Sequence, residues 1–81
     1  MQDKQIHQRL QKLVDDEHEL RESLGRGEIT PDEEHARLRE IEIALDQSWD
    51  LLRQRQALRE AGADPEQAKQ RSAGEVEGYL Q

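Results

Sequence analysis

The chain has no cysteine and no phenylalanine, and only one tryptophan, one tyrosine and two prolines in 81 residues. Without cysteine there is no disulfide framework and no thiolate zinc site. With so few aromatics there is no stacking platform for single-stranded nucleic acid. No apolar run approaches the roughly 20 residues that a membrane span needs, and the start, "MQDKQIHQ", has no hydrophobic segment of the signal-peptide kind. Positive charge is also in short supply. Twelve Lys and Arg stand against 19 Asp and Glu, a net charge of -7, which repels phosphate backbones and argues against a nucleic-acid partner. Neither a Gly-rich phosphate loop nor a Ser/His/Asp constellation is present. These exclusions lead to the expectation of a soluble, cytoplasmic, non-enzymatic protein with no cofactor.

Core-forming residues are scarce as well. The chain is 38% charged and 32% hydrophobic, and its length allows one small domain. A domain of this size buries proportionally little surface, so a single copy is marginal. With disulfides removed, self-association is the favoured source of extra burial.

What is present is helical. Ile6, Leu10, Leu13, Val14, Leu20 and Leu24 recur at spacings that define an amphipathic helix over about 3–24 with a coiled-coil-like seam. Asp3 is the expected N-cap, and Gly25 the expected stop in a left-handed conformation. After the tight "GRGEI" reversal, "TPDE" announces a second helix over about 31–61. There Thr30 is the N-cap, Pro31 the first helical residue and Glu33 the closing member of a capping box. Its core stripe reads Leu38, Ile41, Leu45, Trp49 and Leu52, and Gly62 ends it. At about 1.5 Å per residue the helices span roughly 33 and 45 Å. The short loop makes them an antiparallel hairpin over 1–61, with Trp49 near Ile6 and the residues beyond about Arg53 overhanging.

Ala44, Leu51 and Leu58 form a second apolar row at heptad spacing, more than about 100° from that stripe. A two-helix hairpin cannot cover both rows alone. The expected cover is a second copy, giving a homodimeric four-helix bundle with Ala44, Trp49, Leu51 and Leu58 at the interface. The alternative is the chain's own tail, 62–81. Within it Asp64 and Pro65 repeat the cap and first-turn pattern, giving a short helix at 65–70. The apolar cluster Val76, Tyr79 and Leu80 follows, either loose or docked as a peptide.

Three features are candidate sites. Asp15/His18 and Asp32/His35 each place a carboxylate three residues before a histidine, a spacing that helical metal sites use. His18, however, points about 120° from the seam, and flanking histidines do not converge on a protected cavity, so no metal is expected. Glu17 takes a seam position where leucine would serve, within reach of Arg37 or Arg39, and such a residue can fix register. Arg53, Arg55 and Arg59 on the overhang form a possible basic docking patch, although dipole complementarity at a helix C-terminus is sufficient reason for arginines there.

The segments "EHELRE", "EEHARLREIEIALDQSWDLLRQRQALR", "DPEQA" and "VEGYLQ" resemble a family of short, mainly actinobacterial proteins filed as a domain of unknown function. The likeness runs from about Val14 to the end and is most specific in "LDQSWDLLRQR". It implies a bacterial cytoplasmic protein and supplies no activity. Ser48 stands where many relatives are expected to carry cysteine, so that position holds no essential thiol here. The leading expectation is a non-enzymatic protein-interaction and dimerisation module, with an unidentified protein partner and no membrane. The alternative is a metal-binding protein using the two Asp-x-x-His pairs. A more distant alternative is a coiled-coil transcription factor acting on RNA polymerase through the acidic tip of Glu28, Asp32, Glu33 and Glu34, an outline likeness only.

Overall fold

Thr30 opens the longer helix in the manner its sequence predicts. Its hydroxyl accepts the Glu33 backbone N–H at 3.1 Å, and the Glu33 carboxylate reaches back to the Thr30 N–H and hydroxyl. Each side chain thereby satisfies a backbone donor that the first turn leaves open. In this computed structural model, which describes the backbone of residues 1–80 and the side chains of residues 1–76, the first helix, α1, is Asp3–Gly25 and the second, α2, is Pro31–Glu60. The two pack against each other as an antiparallel hairpin.

Both helices end in the same device. Gly27 and Gly62 are the left-handed residues, at φ 74° and 73°. Past the first, the Glu28 N–H bonds Ser23 C=O and the Gly27 N–H bonds Leu24 C=O; past the second, Ala63 bonds Leu58 and Gly62 bonds Arg59. These paired bonds satisfy the last carbonyls, and glycine takes the positive φ without a Cβ penalty. Gly25, the expected stop, is instead the last residue of α1, and the second glycine of "GRG" turns the chain. At the other end Gln2, not Asp3, is the N-cap. Asp3 is left free to point its carboxylate at α2.

The core begins where Ile6 and Leu10 of α1 meet Leu51 of α2, with Leu45, Leu52 and Ala68 packed around them. Leu20 is buried nearer the turn, and Val76 is the buried residue of the C-terminal segment. Leu51 is 5% exposed, so the residue expected on an uncovered row lies in the chain's own core. Trp49 is corrected in the opposite direction. Expected in the core stripe, it is 48% exposed. Both shifts have one cause. Two things pack on α2, not one, so the buried arc is centred between α1 and the tail, and Trp49 falls at its margin.

The second of these is the C-terminal segment. A 3-10 turn covers Pro65–Gln67, with the Asp64 side chain accepting the Glu66 N–H, and α3 covers Ala73–Leu80. The turn is shorter than the expected 65–70 helix, and α3 is a helix that composition did not announce. Both pack on α2. The body measures 51 × 26 × 14 Å, with a radius of gyration of 15.2 Å against about 12 Å for a rounded chain of this length. No helix among the described residues is long and apolar enough to cross a membrane.

Candidate interaction site

The two sides of α2 are treated differently. Along one, the tail runs back antiparallel to the helix and is held by polar side chains. The Gln54 amide bonds both backbone polar groups of Lys69, donating to its C=O at 2.7 Å and accepting its N–H at 3.3 Å. Gln47 donates to the Arg71 C=O at 3.2 Å. Buried Asp50 accepts from Gln54 at 2.9 Å and pairs with Arg71 at 3.5 Å. Three of these five contacts hold peptide groups that an irregular segment would otherwise leave unpaired. Gln47, Asp50 and Gln54 were not singled out from the sequence. Their one signal was their spacing, which sets three polar side chains on a single helix flank.

At the open end of the hairpin the arginines are engaged. Arg55 is buried, bonded to the Asp3 carboxylate, to Pro65 C=O at 3.2 Å and to Glu66 at 3.2 Å. Arg59 also bonds Asp3. Glu66 further pairs with the Met1 amine at 3.2 Å. Hydrogen bonds from Arg59 and then Arg55 hold the Asp3 carboxyl down at about 2, from an ordinary 3.8. The Met1 amine and then Arg55 lower Glu66. Of the possible docking residues Arg53, Arg55 and Arg59, two close the hairpin, and among the described residues Arg53 alone of the three is exposed and without an ion pair. The expected overhang is corrected, since Asp3 reaches Arg59 and α1 covers α2 almost to its end.

On its other side the groove between α1 and α2 is open. His7, Leu10, Gln11, Val14, Leu45 and Trp49 line about 250 Å³. Trp49 is 48% and Val14 42% exposed at its rim, and both are among the most exposed large apolar side chains of the described residues. Of the expected interface row, Leu51 is inside and Ala44 and Leu58 are half-buried, so Trp49 is the member that faces outward. Val76 is 2% exposed and belongs to the molecule's own packing; the Tyr79 and Leu80 side chains lie outside the described residues.

The remaining sequence-predicted residues are not brought together. Asp15, His18, Asp32 and His35 are all exposed, with Asp15 accepting from Gln11 at 3.0 Å. Among the described residues no three His, Cys, Asp or Glu side chains are grouped to hold a metal ion. Glu17 pairs with Arg21 of its own helix at 2.9 Å. At the acidic tip, Glu28 is paired with Arg26 at 2.7 Å, which lowers its pKa, and Glu33 is committed to its cap.

The fold and site define an all-α hairpin with a returning C-terminal segment. The chain belongs to the family described as "Protein of unknown function (DUF2630)", whose model matches residues 2–81. Uncharacterized proteins of Mycobacterium bovis and Mycobacterium tuberculosis are each 54% identical to it over 70 residues, 86% of this chain and 80% of theirs. No solved structure matches it.

Proposed function

We propose that this protein is a non-enzymatic interaction module that binds a polypeptide through the Val14–Trp49 groove. The observation that carries the reading is the placement of its only tryptophan. The fully buried apolar core among the described residues is Ile6, Leu10, Leu20, Leu51 and Val76, yet the largest apolar side chain in the chain stands half outside it. Tryptophan is enriched at the anchoring centres of interfaces, where its area and indole N–H are both used. The molecule also exposes 5750 Å², against roughly 5,000 Å² for a compact monomer of its mass. A partner laid along the groove would recover part of that excess. The row Ala44, Leu51 and Leu58 no longer supports the reading, because the tail and α1 cover it.

The test uses the full chain as bait from its native host, beside Trp49→Ala and Val14→Asp. Both substitutions are at exposed positions and should leave the circular dichroism spectrum and unfolding midpoint within error. A partner retained by the wild type and lost by both variants is expected. Identical retention by all three proteins would defeat the proposal.

A further inference from the structure

The outer face of α2 beside the groove carries charge next to the indole. Neither Asp46 nor Arg53 lines the groove itself, and Arg53 lines a second hollow on the tail side with Asp50, Gln54, Ala57 and Arg71. Asp46 lies three residues before Trp49 and Arg53 four after, and the helix period places all three within an arc of about 60°. Neither Asp46 nor Arg53 makes a hydrogen bond or ion pair among the described residues. They cannot satisfy each other, since two helical turns, about 10.5 Å of rise, separate them. An acid and a base therefore flank an exposed tryptophan at similar distances along the helix, each unpaired among the described residues.

That pattern is complementary to itself when reversed. We infer that the occupant of the groove is a second copy of this chain, its α2 crossing antiparallel about a two-fold axis at Trp49, so that Asp46 of each copy meets Arg53 of the other. The inference rests on the interaction-module reading and names its partner. A parallel crossing would set Asp46 against Asp46 and Arg53 against Arg53, which like-charge repulsion disfavours. In the antiparallel crossing Glu42 falls opposite Gln56, a neutral residue, so no like charges meet along this face. Each Trp49 then covers the apolar rim of the other copy's groove, as an isologous contact requires. The chain's net charge of -7 opposes self-association in general, which makes a locally balanced face the place where two copies can approach.

Sedimentation equilibrium on the wild type, Asp46→Arg and Arg53→Asp tests this, with the two variants also mixed. The wild type should be dimeric at micromolar concentration. Each single reversal should weaken the dimer roughly tenfold or more, because it replaces both attractive pairs with repulsive ones. The equimolar mixture should recover wild-type affinity, since every junction in the heterodimer again joins an acid to a base. The single tryptophan gives an independent reading, as its emission should shift to the blue on dimerisation. A monomeric wild type overturns the inference, as does a dimer whose single variants are not rescued by mixing. If the wild type is monomeric while Trp49-dependent capture of another protein persists, the second copy is wrong and the interaction-module reading stands. If Trp49→Ala changes neither property, both fail.

Discussion

Asp3, in the first turn of α1, accepts hydrogen bonds from both Arg55 and Arg59 near the end of α2, so one carboxylate closes the open end of the hairpin. The folded carboxyl sits at about 2, below its ordinary 3.8. Between those values the unfolded chain binds more protons at this site than the folded one, so stability rises with pH there. The contribution is present above 3.8 and is lost as the pH falls toward 2. Glu66, also lowered, adds in the same direction. Asp3→Asn should lower the urea midpoint at neutral pH and flatten its decline from about pH 5 to about pH 2. Parallel wild-type and variant profiles would show that the Asp3 contacts do not persist in solution.

The tail should behave as part of the fold, because its deepest described apolar anchor is among the most buried of the described side chains. Val76 is 2% exposed, and α3 packs on α2. Val76→Ala removes two carbons from that site and should cost about 2 kcal/mol, the transfer term plus a cavity term. Gln54→Ala, which leaves the Lys69 peptide group without its partner, should raise amide exchange at Lys69 before global stability changes much. Equal exchange in variant and wild type would argue that water replaces the amide without loss.

These two regions differ in how far the sequence revealed them. Capping chemistry is local, so Thr30, Pro31 and Glu33 placed the start of α2 without tertiary knowledge. The hairpin followed from the short turn and the apolar period. Which face of α2 is central did not follow, because a helical wheel cannot say how many neighbours a helix has. For that reason the wheel sets Leu51 on a second row in need of a cover and Trp49 in the core stripe. The tail is legible as a candidate cover, but the way it is held is not: Gln54 and Gln47 bond its peptide groups and Asp50 pairs with Arg71, and that role leaves no hydrophobic pattern. The exposure of Trp49 beside Val14 was likewise invisible, since it depends on the margin of a buried arc.

Ser48 shows the same dependence on packing. It is buried between the elements, and its hydroxyl donates to the Ala44 C=O at 2.8 Å. The site is almost fully buried, and the hydroxyl needs nothing beyond its own helix. Ser48→Cys, close in volume, should change stability by less than about 1.5 kcal/mol. Ser48→Leu must displace neighbours in a filled site and should cost about 1–3 kcal/mol. Denaturant midpoints of the two variants decide the matter, and a neutral leucine would mean that the site holds unfilled space.

Leu51 and Trp49 offer the sharpest contrast, because charge placed at each has opposite expected consequences. Leu51 packs against Ile6 and Leu10, and a glutamate there would bury a carboxylate with no partner among apolar side chains. Such a group costs several kcal/mol whether it ionises or binds a proton. A domain of this size has total stability of about 5 kcal/mol or little more, so Leu51→Glu should be largely unfolded at neutral pH by circular dichroism. Trp49→Glu exchanges a half-exposed indole for a side chain that can reach water, and should remain helical with a near-native unfolding midpoint. Self-association should nevertheless be lost, because the substitution sets two carboxylates against each other at the two-fold axis. A folded, monomeric Leu51→Glu would place the interface on the row Ala44, Leu51 and Leu58 after all, and would require the tail to leave α2 whenever two copies meet.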